Sequence, residues 1–357
     1  MPMEPPSLCL APLRGVTGLV FRRCFMRHFG GFDFAVSPFL TTVAGTRIKA
    51  THLADIAPGQ NRELPLVPQI IGKSAPELRT LLLAIRDLGY TRADLNAGCP
   101  WPMIVKKGRG AGLLRDADAL RRLLDTGCEL LPGGFSIKVR LGIDSPDLLQ
   151  TRLGLLNEYP LREVAIHART AQQRYAGHVD LPAFARALPA CRHPVRYNGD
   201  IRTPTDLARL QAAFPSVAGW MIGRGAVIDP FLPARLRSDP RPPAAARLRA
   251  FLEDFAAQSA AELCGPAPLL GRLKELWSYL HLRFAEGGML WRQIRTCRRT
   301  DDYRRVLDTW WARDPALAEI TDGLPPFAFQ VNFGSTSRST PKNFRIAGVD
   351  YHPPPPV

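Results

Sequence analysis

A single cysteine stands just past an apolar run in Asp94-Leu95-Asn96-Ala97-Gly98-Cys99-Pro100, and the loop behind it carries Lys106, Lys107 and Arg109 among Gly108, Gly110 and Gly112. A thiol at the end of a strand is open to substrate, and neighbouring cations lower the cost of forming thiolate. Farther on, Phe135 to Leu141 contains Lys138 and Arg140, and two later apolar runs end in Asn198-Gly199-Asp200-Ile201 and Gly223-Arg224-Gly225-Ala226. Glycine lets main-chain N–H groups approach an anion closely, and arginine supplies a bidentate cation, so these two ends suit a phosphate group. A lysine between a reactive thiol and a phosphate site can place positive charge beside a flavin ring and stabilise its reduced anion.

The elements that must carry these residues alternate along the chain. Strand-like runs occur at 8–11, 32–39, 66–71, 93–97, 135–141, 164–167, 194–197 and 219–222, and amphipathic helical patterns separate them. Ser74-Ala75-Pro76-Glu77 has the form of a capping box opening a helix that Gly89 ends, and further helices are expected over 116–130, 146–157, 182–188 and 204–213. Near-continuously apolar strands alternating with helices imply parallel pairing covered on both faces. Eight such units predict an α/β fold of the closed (β/α)8 TIM-barrel type, with functional residues at the C-terminal ends of the strands. Those ends carry Pro12 with Arg14, Gln69, Asn96 with Cys99, Lys138 with Arg140, His167, Asn198 with Asp200, and Gly223 with Arg224.

Asp239-Pro240-Arg241-Pro242-Pro243 is a stiff break. It divides a catalytic barrel over 1–238 from a helical domain over 244–315, in which three or four helices are expected. Arg272, Lys274, Arg283, Arg292, Arg295, Arg298 and Arg299 recur there among Trp277, Tyr279, Trp291 and Trp310. Such a series makes either a solvated face or an RNA-facing surface. From 324 to 357 proline, serine, threonine and glycine dominate, which predicts a disordered tail.

The 357 residues carry a formal net charge of +15 and a sequence pI near 10.0, which suits a polyanionic partner. Hydrophobic content of 46% supports a large core, and no apolar run approaches the roughly 20 residues that span a bilayer. The N-terminal residues lack the pattern of a secretory leader, so a cytoplasmic, membrane-free protein is expected. Seven scattered cysteines fit reduced thiols better than a disulfide framework, and no cysteine or histidine spacing suggests a metal.

Taken together the motifs resemble the tRNA-dihydrouridine synthases, with a divergent bacterial-type pattern. The matching stretches are Ala11-Pro12-Leu13, Gln69, Asn96-Ala97-Gly98-Cys99-Pro100 with Gly108 to Leu114, and Lys138-Val139-Arg140-Leu141-Gly142. His167-Ala168-Arg169-Thr170, Asn198-Gly199-Asp200-Ile201 and Gly223-Arg224-Gly225-Ala226 follow in the family's order, nearly spanning the barrel. The resemblance implies FMN held by Pro12, Leu13, Arg14, Gln69, Lys138, His167, Asn198, Gly199, Asp200, Gly223 and Arg224. It also implies NADPH as reductant, hydride transfer to C6 of a uridine in tRNA, and protonation of C5 by Cys99. The base must leave its RNA stack to meet the flavin. Asn96 and Arg140 are the candidates for holding it, and Lys106, Lys107, Arg109, Lys274, Arg295 and Arg298 for meeting the tRNA backbone. A monomer is expected, with tRNA and NAD(P)H as partners. A flavin barrel acting on a small pyrimidine or enone, or a catalytically idle tRNA-binding protein, are the alternatives. Leu13, Ala168, Ser37-Pro38-Phe39 and Trp101-Pro102-Met103 depart from the commoner family pattern and bear on which uridine is chosen.

Overall fold

The computed structural model describes residues 5–45, 48–239, 241–320, 344–346 and 349–351. Its parallel sheet runs in the order expected of a barrel. The first strand (Leu8–Leu10) pairs with the last (Gly219–Ile222) on one side and with Phe34–Val36 on the other. Ala93–Ala97, Phe135–Gly142, Val164–Thr170 and Val195–Asn198 follow one another in register between them.

The second and third strands are each broken in two, a detail the apolar runs at 32–39 and 66–71 do not reveal. Phe34–Val36 pairs with Leu66–Val67, and Leu40–Thr41 pairs with Gln69–Ile71, so the two halves of the same strand pair close the ring. The break falls at Pro68, which has no N–H to give the ladder. Ser37 bridges the gap: its Oγ accepts the N–H of Gln69 at 3.0 Å.

Alternation sorts the side chains of every strand. Leu10, Leu95, Ile137, Val139, Ile166, Val195 and Ile222 face the surrounding helices and join the main core, each worth about 1.5–3 kcal/mol when removed from water. The other parity points into the barrel. Its lower part holds a separate apolar cluster of Cys9, Phe34, Val67, Ala165 and Met221. Many of its other inward positions are polar, with Gln69, Asp94, Asn96, Ser136, Arg140 and His167 all buried. The strands are therefore less uniformly apolar than expected, because their inward positions near the C-terminal ends are given to chemistry.

The helices form close to their expected bounds: Ala117–Leu130, Asp147–Leu156, Leu181–Ala190 and Pro204–Ala213. Thr203 and Asp206 cap the last of these reciprocally. The capping box expected at Ser74 does not form. Ser74 takes the N-cap position of Ala75–Asp87 without a side-chain bond, since Glu77 instead accepts the hydroxyl of Thr42 at 2.7 Å and lies 3.6 Å from Arg109.

After the proline break come Ala245–Glu262, Pro266–Leu280, Gly287–Thr296 and Thr300–Trp311. They dock on the barrel through aromatic rings: Phe251 meets Phe21 of the helix Leu19–His28 at 6.0 Å and Phe29, the residue that caps its C-terminus, at 5.2 Å. Arg283 reaches back to Asp229 at 3.1 Å. One apolar core runs across the junction. The tail expected over 324–357 lies largely outside the described residues; within it Phe344–Ile346 pairs antiparallel with Val349–Tyr351. Among the described residues no helix is long and apolar enough to cross a membrane.

Candidate active site

Register brings the polar residues of the barrel interior together. Gln69 lies opposite Asp94, Asn96 opposite Lys138, Arg140 opposite His167, and His167 opposite Asn198. These neighbours line the barrel floor in separate hydrogen-bonded sets, Asp94 with Gln69 and Asn96, and Lys138 with Asn198. The Lys138 ammonium donates to Asn198 Oδ1 at 2.9 Å, and Asn198 Nδ2 donates to the Met221 carbonyl at 2.8 Å. Burial among cations lowers Lys138 to about 8, with Arg140 adding to the fall and Asp94 opposing it. His167 is pushed well below its ordinary value by burial and by the charges of Arg140, Lys138, Arg169 and Arg224, so its imidazole is neutral.

Cys99 sits at the rim above this floor. Its main chain is held three ways: its N–H and that of Gly98 donate to Asn96 Oδ1 at 2.8 and 3.1 Å, and its carbonyl accepts Ala111 N–H at 3.0 Å. Arg140 Nε donates to the Gly98 carbonyl at 2.9 Å. The glycines behind the cysteine have a steric purpose. Gly110 is left-handed at φ 56°, and a Cβ there would stand 2.8 Å from the Cβ of Cys99; at Gly112 it would stand 2.4 Å from the Val105 carbonyl.

The electrostatics of the thiol differ from the sequence expectation. Burial raises Cys99 above the usual thiol value, opposed by a main-chain hydrogen bond at Trp101 and by the charges of Arg140, Arg14 and Lys138. Lys106, Lys107 and Arg109 are not among the groups that act on it most. Desolvation wins, and the group is a protonated thiol rather than a thiolate.

At the ends of the last three strands Asp200, itself at φ 38°, gathers guanidinium groups. Arg169 engages it through both terminal nitrogens, Arg224 lies at 3.2 Å and Arg202 at 3.5 Å. Burial resists ionisation of Asp200, but Arg169 first, then Arg224 and Arg202, hold its carboxyl below the usual value. Three guanidinium groups gather at the loop that carries Gly199, close to Gly223. Asp200 thus orients arginines.

Arg169 enters this cluster because its strand runs to Thr170, three residues beyond the expected end. It was legible only as part of the His-Ala-Arg-Thr match. Tyr175 was missed altogether; its ring lies 5.3 Å from the guanidinium of Arg140 and 4.9 Å from that of Arg224. The only signal for it was an aromatic residue in a short glycine-containing loop.

The remaining expected residues divide by place. Pro12 and Leu13 lie at the rim, partly buried, with Leu13 N–H donating to Thr17 Oγ1 at 2.8 Å, while exposed Arg14 stacks 5.4 Å over Phe39. Lys106 and Lys107 are exposed beside Cys99, at the end of the short helix Pro102–Lys106. Arg295 is exposed on the helix Gly287–Thr296 and Arg298 in the connection that follows it, away from the strand ends in sequence and element. Lys274 is half-buried, and its ammonium donates to the carbonyls of Arg295 (3.0 Å) and Cys297, closing the end of Gly287–Thr296. That use is structural.

The family model described as dihydrouridine synthase matches residues 9–263. A probable tRNA-dihydrouridine synthase of Rhodobacter capsulatus is 31% identical over 71% of this chain and 79% of its own length. The tRNA-dihydrouridine(16) synthase of Cupriavidus necator is 30% identical over 84% of this chain and 96% of its own. Among solved structures, morphinone reductase superposes with a TM-score of 0.50 at 10% identity, over 69% of this chain and 94% of that one. A 2-naphthoyl-CoA reductase does so with a TM-score of 0.52 at 11% identity, over 65% of this chain and 50% of its own. These two speak to the barrel fold alone. With the family model matched across the barrel and into the first C-terminal helix, the chain belongs to the dihydrouridine synthase family and is an oxidoreductase of that family.

Proposed function

We propose that this protein reduces the C5–C6 double bond of uridine in tRNA to 5,6-dihydrouridine, using FMN and NADPH, with Cys99 as the proton donor. The observation that carries the reading is the pairing of a desolvated, protonated thiol at the rim with a buried cation, Lys138, on the barrel floor below it. Protonation at C5 needs a group that keeps its proton until the uracil arrives, and the raised thiol meets that need.

The barrel mouth fits FMN by its own chemistry. Arg169, Arg202 and Arg224 gather around Asp200, where guanidinium donors suit a phosphate, and Gly223 lies so close to Ala11 and Leu13 that a Cβ there would stand 3.3 Å from Ala11. Gln69, Lys138, His167 and Asn198 line the floor on which an isoalloxazine ring would rest. Bound there, FMN supplies the hydride and NADPH restores it. Lys138 places a cation against the ring, Arg140 and Asn96 stand where they can hold the base or its cradle, and Cys99 keeps a proton at Sγ for C5. Residues 1–238 form the catalytic barrel in this reading. Residues 244–315 meet tRNA, together with Lys106, Lys107 and Arg109 at the rim.

The target is proposed as position 16 of tRNA, because relatives aligned over 95–96% of their own lengths carry that position in their names. The test is to incubate the purified protein with NADPH and unmodified tRNA and map dihydrouridine by position. A colourless protein would refute the flavin, absence of dihydrouridine the activity, and product at another position alone the site.

A further inference from the structure

Asp94 is a buried carboxyl group inside the barrel, and no step above uses it. Both of its oxygens are engaged: Oδ1 accepts Ser136 Oγ at 3.0 Å and Oδ2 accepts Gln69 Nε2 at 2.7 Å. Beyond Gln69 the bonds continue in series. Gln69 Oε1 accepts Asn96 Nδ2 at 2.7 Å, and Asn96 Oδ1 accepts the N–H groups of Gly98 and Cys99. All three side chains are less than a tenth exposed, so water cannot substitute for a lost partner.

The series has a direction. At its far end main-chain N–H groups can only donate, which turns Asn96 Oδ1 toward them and its Nδ2 toward Gln69. Gln69 must then offer Oε1 to Asn96, leaving Nε2 to find an acceptor, and Asp94 supplies it. We infer that Asp94 is a positioning residue for Cys99: it anchors a relay of two side-chain amides that sets where the thiol's main chain stands above the barrel floor. This inference deepens the proposed reaction and rests on its assignment of Cys99.

Ser136 makes the relay tolerant of a neutral residue at 94. Its hydroxyl also reaches the Ala93 carbonyl at 3.3 Å, so it can turn there and accept a hydrogen from an amide at 94. Asp94→Asn can therefore keep an oxygen facing Gln69, whereas Asp94→Leu, of similar size, cannot. Both substitutions remove the titratable carboxyl group, which burial raises to about 7, from beside Lys138, and comparing one with the other isolates the hydrogen bond.

The experiment uses the full-length protein and reads Cys99 alkylation by iodoacetamide, peptide by peptide in the mass spectrometer, alongside kcat and KM for tRNA. Asp94→Leu should alkylate at Cys99 about tenfold faster than Asp94→Asn, the order expected when an opening equilibrium loses a buried hydrogen bond. Its kcat should fall by about a hundredfold relative to Asp94→Asn with KM little changed, as displacement of a reacting group by about an ångström can produce. Equal alkylation rates in the two variants would overturn the inference. Should Asp94→Leu fail to fold, Gln69→Met cuts the relay at its middle, and an unchanged Cys99 alkylation rate there would overturn it equally. Because alkylation needs no uridine, a clear contrast in thiol reactivity without any dihydrouridine formation would sustain the relay and refute the proposed activity.

Discussion

Two cysteines point into the same barrel from opposite ends, and their fates differ. Cys9 lies at the closed lower end, fully buried among Phe34, Val67 and Met221, and burial pushes its thiol up to about 12. The cation that acts most on it, Arg196, is already committed to Glu163 at 3.1 Å and stacks 4.8 Å from the ring of Phe34. Cys99 lies at the open end, where the charges that act on it most, those of Arg140, Arg14 and Lys138, all favour its ionised form. Both thiols stay protonated at neutral pH. What separates them is access and the sign of the surrounding charge, set by which end of a strand each occupies and not by residue type.

The sharpest way to break this comparison is to remove each thiol in turn. Cys99→Ala should lower uridine reduction by about 10²–10⁴-fold, the usual worth of a positioned proton donor, while the protein keeps its flavin colour. Cys9→Ala should leave turnover intact and cost about 1–2 kcal/mol in denaturant unfolding, the penalty of a small cavity. Product formation by Cys99→Ala at the normal rate would remove the functional half of the contrast.

A smaller effect separates charge from geometry at the open end. Lys138 is lowered from 10.5 to about 8 by burial, so between those values the unfolded chain binds the proton that the folded chain has released. Its contribution to stability therefore improves as pH rises through that window, because the cost of a buried ammonium is relieved. Turnover should move the opposite way, since a neutral Lys138 no longer supports an anionic ring; kcat/KM should fall about tenfold per pH unit above about 8. Lys138→Met should be slow at every pH and lack this alkaline limb. A limb that persists in the variant would assign it to another group.

Much of this open end was legible in the sequence because barrel strands end in loops, and polar residues at those ends have few other reasons to recur. Gln69, Asn96, Lys138, His167, Asn198 and Arg224 all converge as the strand count implied. Three features were beyond reach. The strand breaks at Pro68 and Ser37 depend on ladder geometry rather than on hydropathy. Cys99 was read as charge-activated, because sequence neighbours are visible and burial is not. Lys274 was read as part of a basic face, since periodicity cannot tell whether an ammonium meets solvent or the carbonyls closing the next helix. Arg169 and Tyr175 show the same limit: an arginine clamped on Asp200 and an aromatic ring between two guanidiniums are defined by long-range contacts that spacing does not encode.

The smallest expected effect tests which end of the barrel faces RNA. Lys106 and Lys107 are exposed beside Cys99, whereas Arg162 is exposed in the turn leading into Val164–Thr170, at the closed end. Each lysine that meets a phosphate releases counterions on binding, so Lys106→Gln with Lys107→Gln should weaken tRNA binding and lower the slope of log affinity against log salt by about 1–2. Arg162→Gln should leave that slope unchanged. Lys274→Met supplies the structural counterpart, because its ammonium serves the Arg295 and Cys297 carbonyls: it should lower the melting temperature of the helical part without altering the slope. If Arg162→Gln flattened the salt dependence as much as the rim pair does, tRNA would lie against the closed end, where the thiol of Cys9 cannot reach it, and the functional difference between the two ends of this barrel would have to be reassigned.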